Sequence, residues 1–151
     1  MLRIVVASAA CFCVVLPEYN HFNSSPLLPS QASSLIERDS AVARREPGPH
    51  DGGGETTAYS FFSQAPNLEL VFRKRALHRG SAIGYHRQHE DEIYYVLSGT
   101  GELTLNGQRS LVGPGTAVLT RPGSSHGLRQ MGSADLVLVV AYQQPRDVRE
   151  R

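Results

Sequence analysis

The sequence predicts an all-β fold: an antiparallel sandwich or barrel, closed as a compact jelly roll. Three observations carry this. From Ala58 onward, short apolar or alternating runs recur at close spacing: "LELVFRKRAL", "SAIGYHRQ", "EIYYVLSG", "GELTLNG", "TAVLTRPG" and "ADLVLVVAYQ". Turn residues separate them, among them Gly99-Thr100-Gly101, Asn106-Gly107, Gly113-Pro114-Gly115 and Pro122-Gly123. No helical period of useful length runs through this part. About 90 residues then hold roughly eight short strands, which suits a jelly roll of one domain.

The N-terminal elements read differently. "MLRIVVASAACFCVVLP" has one Arg, then an apolar run from Ile4 to Leu16. That run is too short to span a bilayer stably and fits the core of a secretory signal peptide, expected over 1–32. Export to the periplasm or beyond follows; a miscalled start would instead leave the protein cytoplasmic. Both cysteines, Cys11 and Cys13, lie in this segment. Its removal leaves no thiol for disulfides or catalysis.

Residues 33–57 are rich in Ser, Pro, Gly and charge and read as a linker, disordered or weakly helical. "SSLIERDSAVARRE" offers a short helix, with Ser34 as N-cap and Glu37 three residues later. "PGPHDGGGE" ends it, and His50 within it reads as a solvated linker residue. The barrel domain is expected over 58–145, with a tail over 146–151. Within it, Asn106-Gly107 is a strong hairpin signal, since both residues tolerate positive φ. "VFRKR" reads as a strand with a solvated basic face. "ADLVLVVAYQ" is apolar on both faces, as in a strand buried on both sides or packed across a dimer contact.

Lys+Arg is 15 against Asp+Glu 14 in 151 residues, so charge gives no case for nucleic acid. The chemistry concentrates in "GYHRQHEDEIYYVLSG", residues 84–99. Strand side chains alternate, so His86 and Gln88 share one face, and Tyr85, Arg87 and His89 the other. His89 would need a bulge to join the first pair. Glu92 opens the next strand, with Tyr94 and Val96 on its face. His126 follows the "RPGSS" turn, which can bring a new strand beside His86. His86, Glu92 and His126 make a two-His-one-carboxylate set, suited to Fe, Mn, Ni, Co or Zn with open positions. Gln88 would add a neutral oxygen donor. A dication held by one carboxylate keeps net positive charge and favours an anionic or chelating ligand.

These residues resemble a known family, the small single-domain cupins. The first cupin motif, Gly-x5-His-x-His-x3-4-Glu-x6-Gly, is met by Gly80, His86, Gln88, Glu92 and Gly99, with Gln in place of the second His. The second, Gly-x5-Pro-x-Gly-x2-His-x3-Asn, is met by Gly115, Gly123 and His126. Its Pro is displaced by one place to Pro122, after Arg121, and Gln130 stands where Asn is usual. The resemblance covers roughly 68–142 and implies a double-stranded β-helix whose inward strands hold one divalent metal. It carries His86, Glu92 and His126 over as ligands directly, and Gln88 by position; a local bulge would exchange the roles of Gln88 and His89.

The resemblance implies a homodimer and a small-molecule ligand or substrate. Two functions are open. One is an enzyme acting on a small oxygen-rich molecule, as a dioxygenase, isomerase or decarboxylase, with Tyr94, Arg121 and Gln130 as candidates for substrate contact or proton transfer. The other is a non-catalytic binding protein for a small ligand or metal.

Overall fold

The computed structural model describes residues 35–144. The apolar N-terminal run, and with it the expected signal peptide and both cysteines, lies outside them, as does the tail. Among the described residues no helix is long and apolar enough to cross a membrane.

One helical turn, α1 (Asp39–Val42), leads into ten strands: β1 (Ala43–Pro47), β2 (Glu55–Phe61), β3 (Leu70–Leu77), β4 (Ala82–Arg87), β5 (Glu92–Ser98), β6 (Thr100–Leu105), β7 (Gln108–Val112), β8 (Ala117–Thr120), β9 (Ser125–Met131) and β10 (Leu136–Gln143). They form two antiparallel sheets, one ordered β1-β2-β3-β10-β5-β8 and the other β4-β9-β6-β7. The expected jelly roll is therefore present. Its core is a single cluster between the sheets, built on Leu77, Ile83, Val96, Leu103, Leu128, Leu136 and Leu138. The Asn106-Gly107 hairpin joins β6 to β7 as expected, with φ of 48° and 81°.

The linker expected over 33–57 is corrected. The short helix shrinks to one turn, and from Ala43 the chain is sheet. β1 pairs with β2 from Ala43↔Tyr59 to Pro47↔Glu55. Its composition explains the misreading. β1 is an edge strand, and Arg44, Arg45 and Pro47 are residues that suit an edge, where a missing N–H costs nothing and charge discourages further pairing. An Arg45–Glu55 ion pair and a Lys74–Asp39 ion pair tie the segment down.

The basic face of β3 is corrected too. Val71, Arg75 and Leu77 are buried, so the inward stripe of this strand carries arginine. Arg75 is 6% exposed. It donates to Thr56 Oγ1 at 2.8 Å and to Glu46 Oε1 at 2.6 Å. A buried guanidinium needs such partners, and β1 and β2 supply them.

Candidate metal centre

His86 reaches the interior because β4 is bulged. Ile83 pairs with Leu128 and His86 with His126, so Gly84 and Tyr85 oppose Gly127 alone. Strict alternation from buried Ile83 would send Tyr85 inward and His86 outward. The extra residue resets the phase: Tyr85 is exposed and His86 faces the barrel. Gly127 permits the crowding, since a Cβ there would sit 3.0 Å from Tyr85 Cα.

His126 is its direct neighbour on β9 and is fully buried. The two Nε2 atoms are 3.2 Å apart, with the rings edge to face. Glu92 comes from the opposite sheet, at the start of β5, and is also buried. One ligand atom from each of His86, Glu92 and His126 lies within 4.8 Å of the others.

Each imidazole is held from behind. His86 Nδ1 stands 2.9 Å from the Gly84 carbonyl, which only accepts, so Nδ1 carries the proton and Nε2 presents a lone pair. His126 Nδ1 meets Thr120 Oγ1 at 2.6 Å. Thr120 pairs with Glu92 across β8 and β5, so one ladder position supplies both the carboxylate and the brace.

The donor set fits a divalent metal. Glu92 Oε2 approaches His126 Nε2 to 3.1 Å, yet without hydrogen-bond geometry, and remains a buried carboxylate oxygen with no donor. The His86 Nε2 lone pair, the His126 Nε2 and an orphaned carboxylate oxygen crowd one point, an arrangement that suits a cation. Nitrogens each about 2.1 Å from a shared metal stand about 3.0–3.4 Å apart for octahedral to tetrahedral angles, and the imidazole pair meets this.

The site opens into a pocket of about 320 Å³. Its walls include Arg73, Arg75, Arg87, Gln88, Tyr94, Tyr142 and His50. Arg75 is neutralised by Glu46. Arg73 packs over the Tyr142 ring, and its buried Nε has no hydrogen-bond partner among the described residues. A larger cleft, about 870 Å³ beneath the β2–β3 connection, shares Arg73 with it but contains none of the three clustered ligands.

The sequence-predicted residues divide. His86, Glu92 and His126 come together. Gln88 lines the same pocket and is buried, while His89 is exposed and lines its rim. Gln88 Nε2 reaches Glu90 only at 3.5 Å. Tyr94 lines the cavity as expected, its hydroxyl 3.3 Å from His126 Nε2. Burial pushes its phenol well above the ordinary value of 10.0, and the neighbouring Glu92 carboxylate pushes the same way. Tyr94 therefore stays a proton donor at neutral pH.

Arg121 and Gln130 stand outside the pocket lining. Arg121 is exposed and pairs with Asp91 at 2.9 Å, bracing two rim loops outside the pocket. Gln130 is buried away from it. Its Oε1 accepts from Gly80 N at 3.1 Å, and its Nε2 donates to the carbonyls of Met131, Gly132 and Ala134. Both ends of the amide are committed to loops.

His50 is the residue sequence reasoning missed. It is not free in a linker: its ring stacks on His86, centroids 3.5 Å apart and planes 8° from parallel. Desolvation lowers its pKa, and His86 beside it adds to this. Arg73 and Arg75 were missed as pocket walls. Their alternation with Val71 and Leu77 was the available signal.

Comparison with known proteins follows the same lines. Residues 75–142 match the family model described as a cupin domain. The chain is 29% identical over 110 residues to the oxalate-binding protein of Thermotoga maritima, covering 70% of this chain and 91% of that protein. The crystal structure of a predicted oxalate decarboxylase from Thermotoga maritima aligns with a TM-score of 0.67 at 28% identity, over 74% of this chain and 100% of that one. The polyketide cyclase RemF from Streptomyces resistomycificus aligns at 0.62 and 22% identity, over 75% and 81% of the two chains, a likeness of fold alone.

Proposed function

Residues 75–142 form a cupin domain, and on that premise we propose that the protein holds one divalent transition metal and binds a small carboxylate, of which oxalate is the first candidate. One observation carries this. His86, Glu92 and His126 converge within 4.8 Å, and His86 and Glu92 line a pocket whose walls include three arginines. The similarity to an oxalate-binding protein supports the ligand class. The pocket, at about 320 Å³, lies at the small end for ligand sites.

His86, Glu92 and His126 hold the metal, with Gln88 as a fourth donor in the pocket wall. The metal would supply Lewis-acid chelation of two ligand oxygens. The chain's own residues supply the rest. Glu92 neutralises only half the charge of a dication, so an anion is favoured there. Arg73 offers a guanidinium with no ion-pair partner among the described residues. Tyr94 offers a hydroxyl that stays protonated.

Calorimetric titration with oxalate tests the reading. The metal-loaded protein should bind one equivalent, formate should bind far more weakly, and the metal-free protein should bind neither. Equal affinity with and without metal would overturn it. A second reading, decarboxylation of the bound acid, is favoured by the protonated Tyr94 hydroxyl beside the ligand cluster. Formate and CO2 released over time would establish turnover; binding alone would leave a capture protein.

We also propose export and a homodimer. Export is supported by the apolar run from Ile4 to Leu16 behind Arg3, and cell fractionation checks it. The dimer is supported by the apolar outer face of the larger sheet.

A further inference from the structure

We propose that His50 is a positioning residue of the metal centre, fixing the His86 imidazole by face-to-face stacking; this rests on the metal reading above. The turn Gly48–Gly54 between β1 and β2 is built to place that ring. It closes on itself through Gly48 N to Gly54 O at 3.1 Å and Gly52 N to Pro49 O at 3.1 Å. It docks on β4 through Gly84 N to Pro49 O at 2.9 Å and Ala82 N to Gly53 O at 3.3 Å.

The docking point is the bulge that aims His86. A Cβ at Gly84 would lie 1.7 Å from the His50 carbonyl, and one at Gly52 would lie 2.0 Å from the Ala82 carbonyl. Only glycines allow this approach. Gly84 thus takes the turn on its N–H, makes room for His50, and accepts the Nδ1 proton of His86 on its own carbonyl. His50 and Asp51 meanwhile adopt φ of 53° and 57°, a conformation uncommon outside glycine. Side chains held this way on a tight turn are characteristic of positions where geometry matters.

The two ligand imidazoles need different support. His126 is fully buried, braced by Thr120 and packed against Tyr94. His86 lies at the mouth and is only half-buried. Gly84 holds one edge of its ring, His126 approaches from one side, and the flat face would otherwise meet solvent. His50 covers that face at 3.5 Å. The clustered ligand set contains no His50 nitrogen, so it acts through His86.

The test is Co(II) affinity, measured by visible absorption against a competing chelator, for wild type, His50→Ala and His50→Phe. The unfolding midpoint of each metal-free protein is measured alongside. His50→Ala should weaken Co(II) binding roughly 10–100-fold, the usual effect of losing an outer partner of a ligand, and His50→Phe should stay within about threefold of wild type. The metal-free midpoints of the two variants should agree. Binding by His50→Ala equal to wild type would overturn this role and leave the metal centre standing. Equal weakening in both variants would overturn it too, by denying that a flat ring suffices. No Co(II) binding in wild type would overturn the metal reading and this role with it.

Discussion

His86 and His126 are direct cross-strand partners on β4 and β9, and their Nε2 atoms stand 3.2 Å apart. The pairing of the edge strand β4 with β9 sets that distance, and the β1–β2 turn docks on β4 beside it. A site on rigid elements needs little rearrangement to accept its ion. The same ladder makes the site depend on one local irregularity, the bulge at Gly84 and Tyr85, without which His86 would face solvent.

Removal of the metal ligands gives the first prediction. Purified protein should contain close to one equivalent of a divalent transition metal by elemental analysis. His86→Ala should lose it, by more than the roughly 10–100-fold that an outer partner is worth. His86 is the cleaner variant, because it is only half-buried. His126→Ala strands the buried Thr120 and Tyr94 hydroxyls and should also lower folding stability by about 1–3 kcal/mol. Wild-type protein free of metal after reconstitution with Fe(II), Mn(II), Ni(II), Co(II) and Zn(II) would sink the metal reading.

Thr120 gives the second. Its hydroxyl is the partner of His126 Nδ1 at 2.6 Å, and a metal on Nε2 requires the proton to sit at Nδ1. Thr120→Val keeps the shape and removes the acceptor. Metal affinity should fall about 10–100-fold, while the buried Nδ1 left unmet costs about 1–3 kcal/mol of stability. Chelator competition and thermal unfolding read the two effects separately. An affinity unchanged in Thr120→Val would show that the brace is dispensable.

Much of this centre was legible in the chain. Motif spacing brought His86, Glu92 and His126 together, and parity set Gln88 on the buried face, with the exposed His89 at the pocket rim. What escaped was long-range. Val71, Arg73, Arg75 and Leu77 share one parity, but that an arginine can be buried there depends on Glu46 and Thr56, which reach Arg75 from β1 and β2. β1 carries the charges and proline of a sheet edge, which in composition resemble a linker. His50 touches His86 only because Gly84 lacks a side chain, a fact that resides in the packing of two distant segments. Gln130 matched the family position approximately, but its amide is consumed by the Gly80 turn and the β9–β10 loop.

Arg73 gives the third prediction. Among the described residues it has no ion-pair partner, unlike Arg75, so its charge is available to a ligand. Arg73→Met should keep the fold and the metal but weaken oxalate binding about tenfold or more, since a hydrogen bond to a charged group contributes about 1.5–3 kcal/mol. Calorimetry on the metal-loaded variant checks this. Arg75→Met should instead lower stability, because Glu46 and Thr56 lose their shared donor. Unchanged oxalate affinity in Arg73→Met would place the ligand's anionic end elsewhere in the pocket.

The fourth prediction concerns the outer face of the larger sheet. Phe72, Ala141, Ile93 and Leu119 form one row across β3, β10, β5 and β8, with Val139 and Tyr95 directly paired beside it. Phe72, Ile93, Tyr95, Leu97 and Leu119 are all exposed. A monomer seldom leaves a contiguous apolar patch this broad in water, and a stable interface needs about 800 Å² from each partner, which a four-stranded face can supply. Wild-type protein should therefore sediment as a dimer at micromolar concentration. Ile93→Lys together with Tyr95→Lys should sediment as a monomer with its β-sheet circular dichroism retained, because both side chains point away from the core. Charges there would have to be desolvated to re-form the contact. A dimer that persists in the double variant would assign the contact to another surface, and a monomeric wild type would leave this face without a second copy.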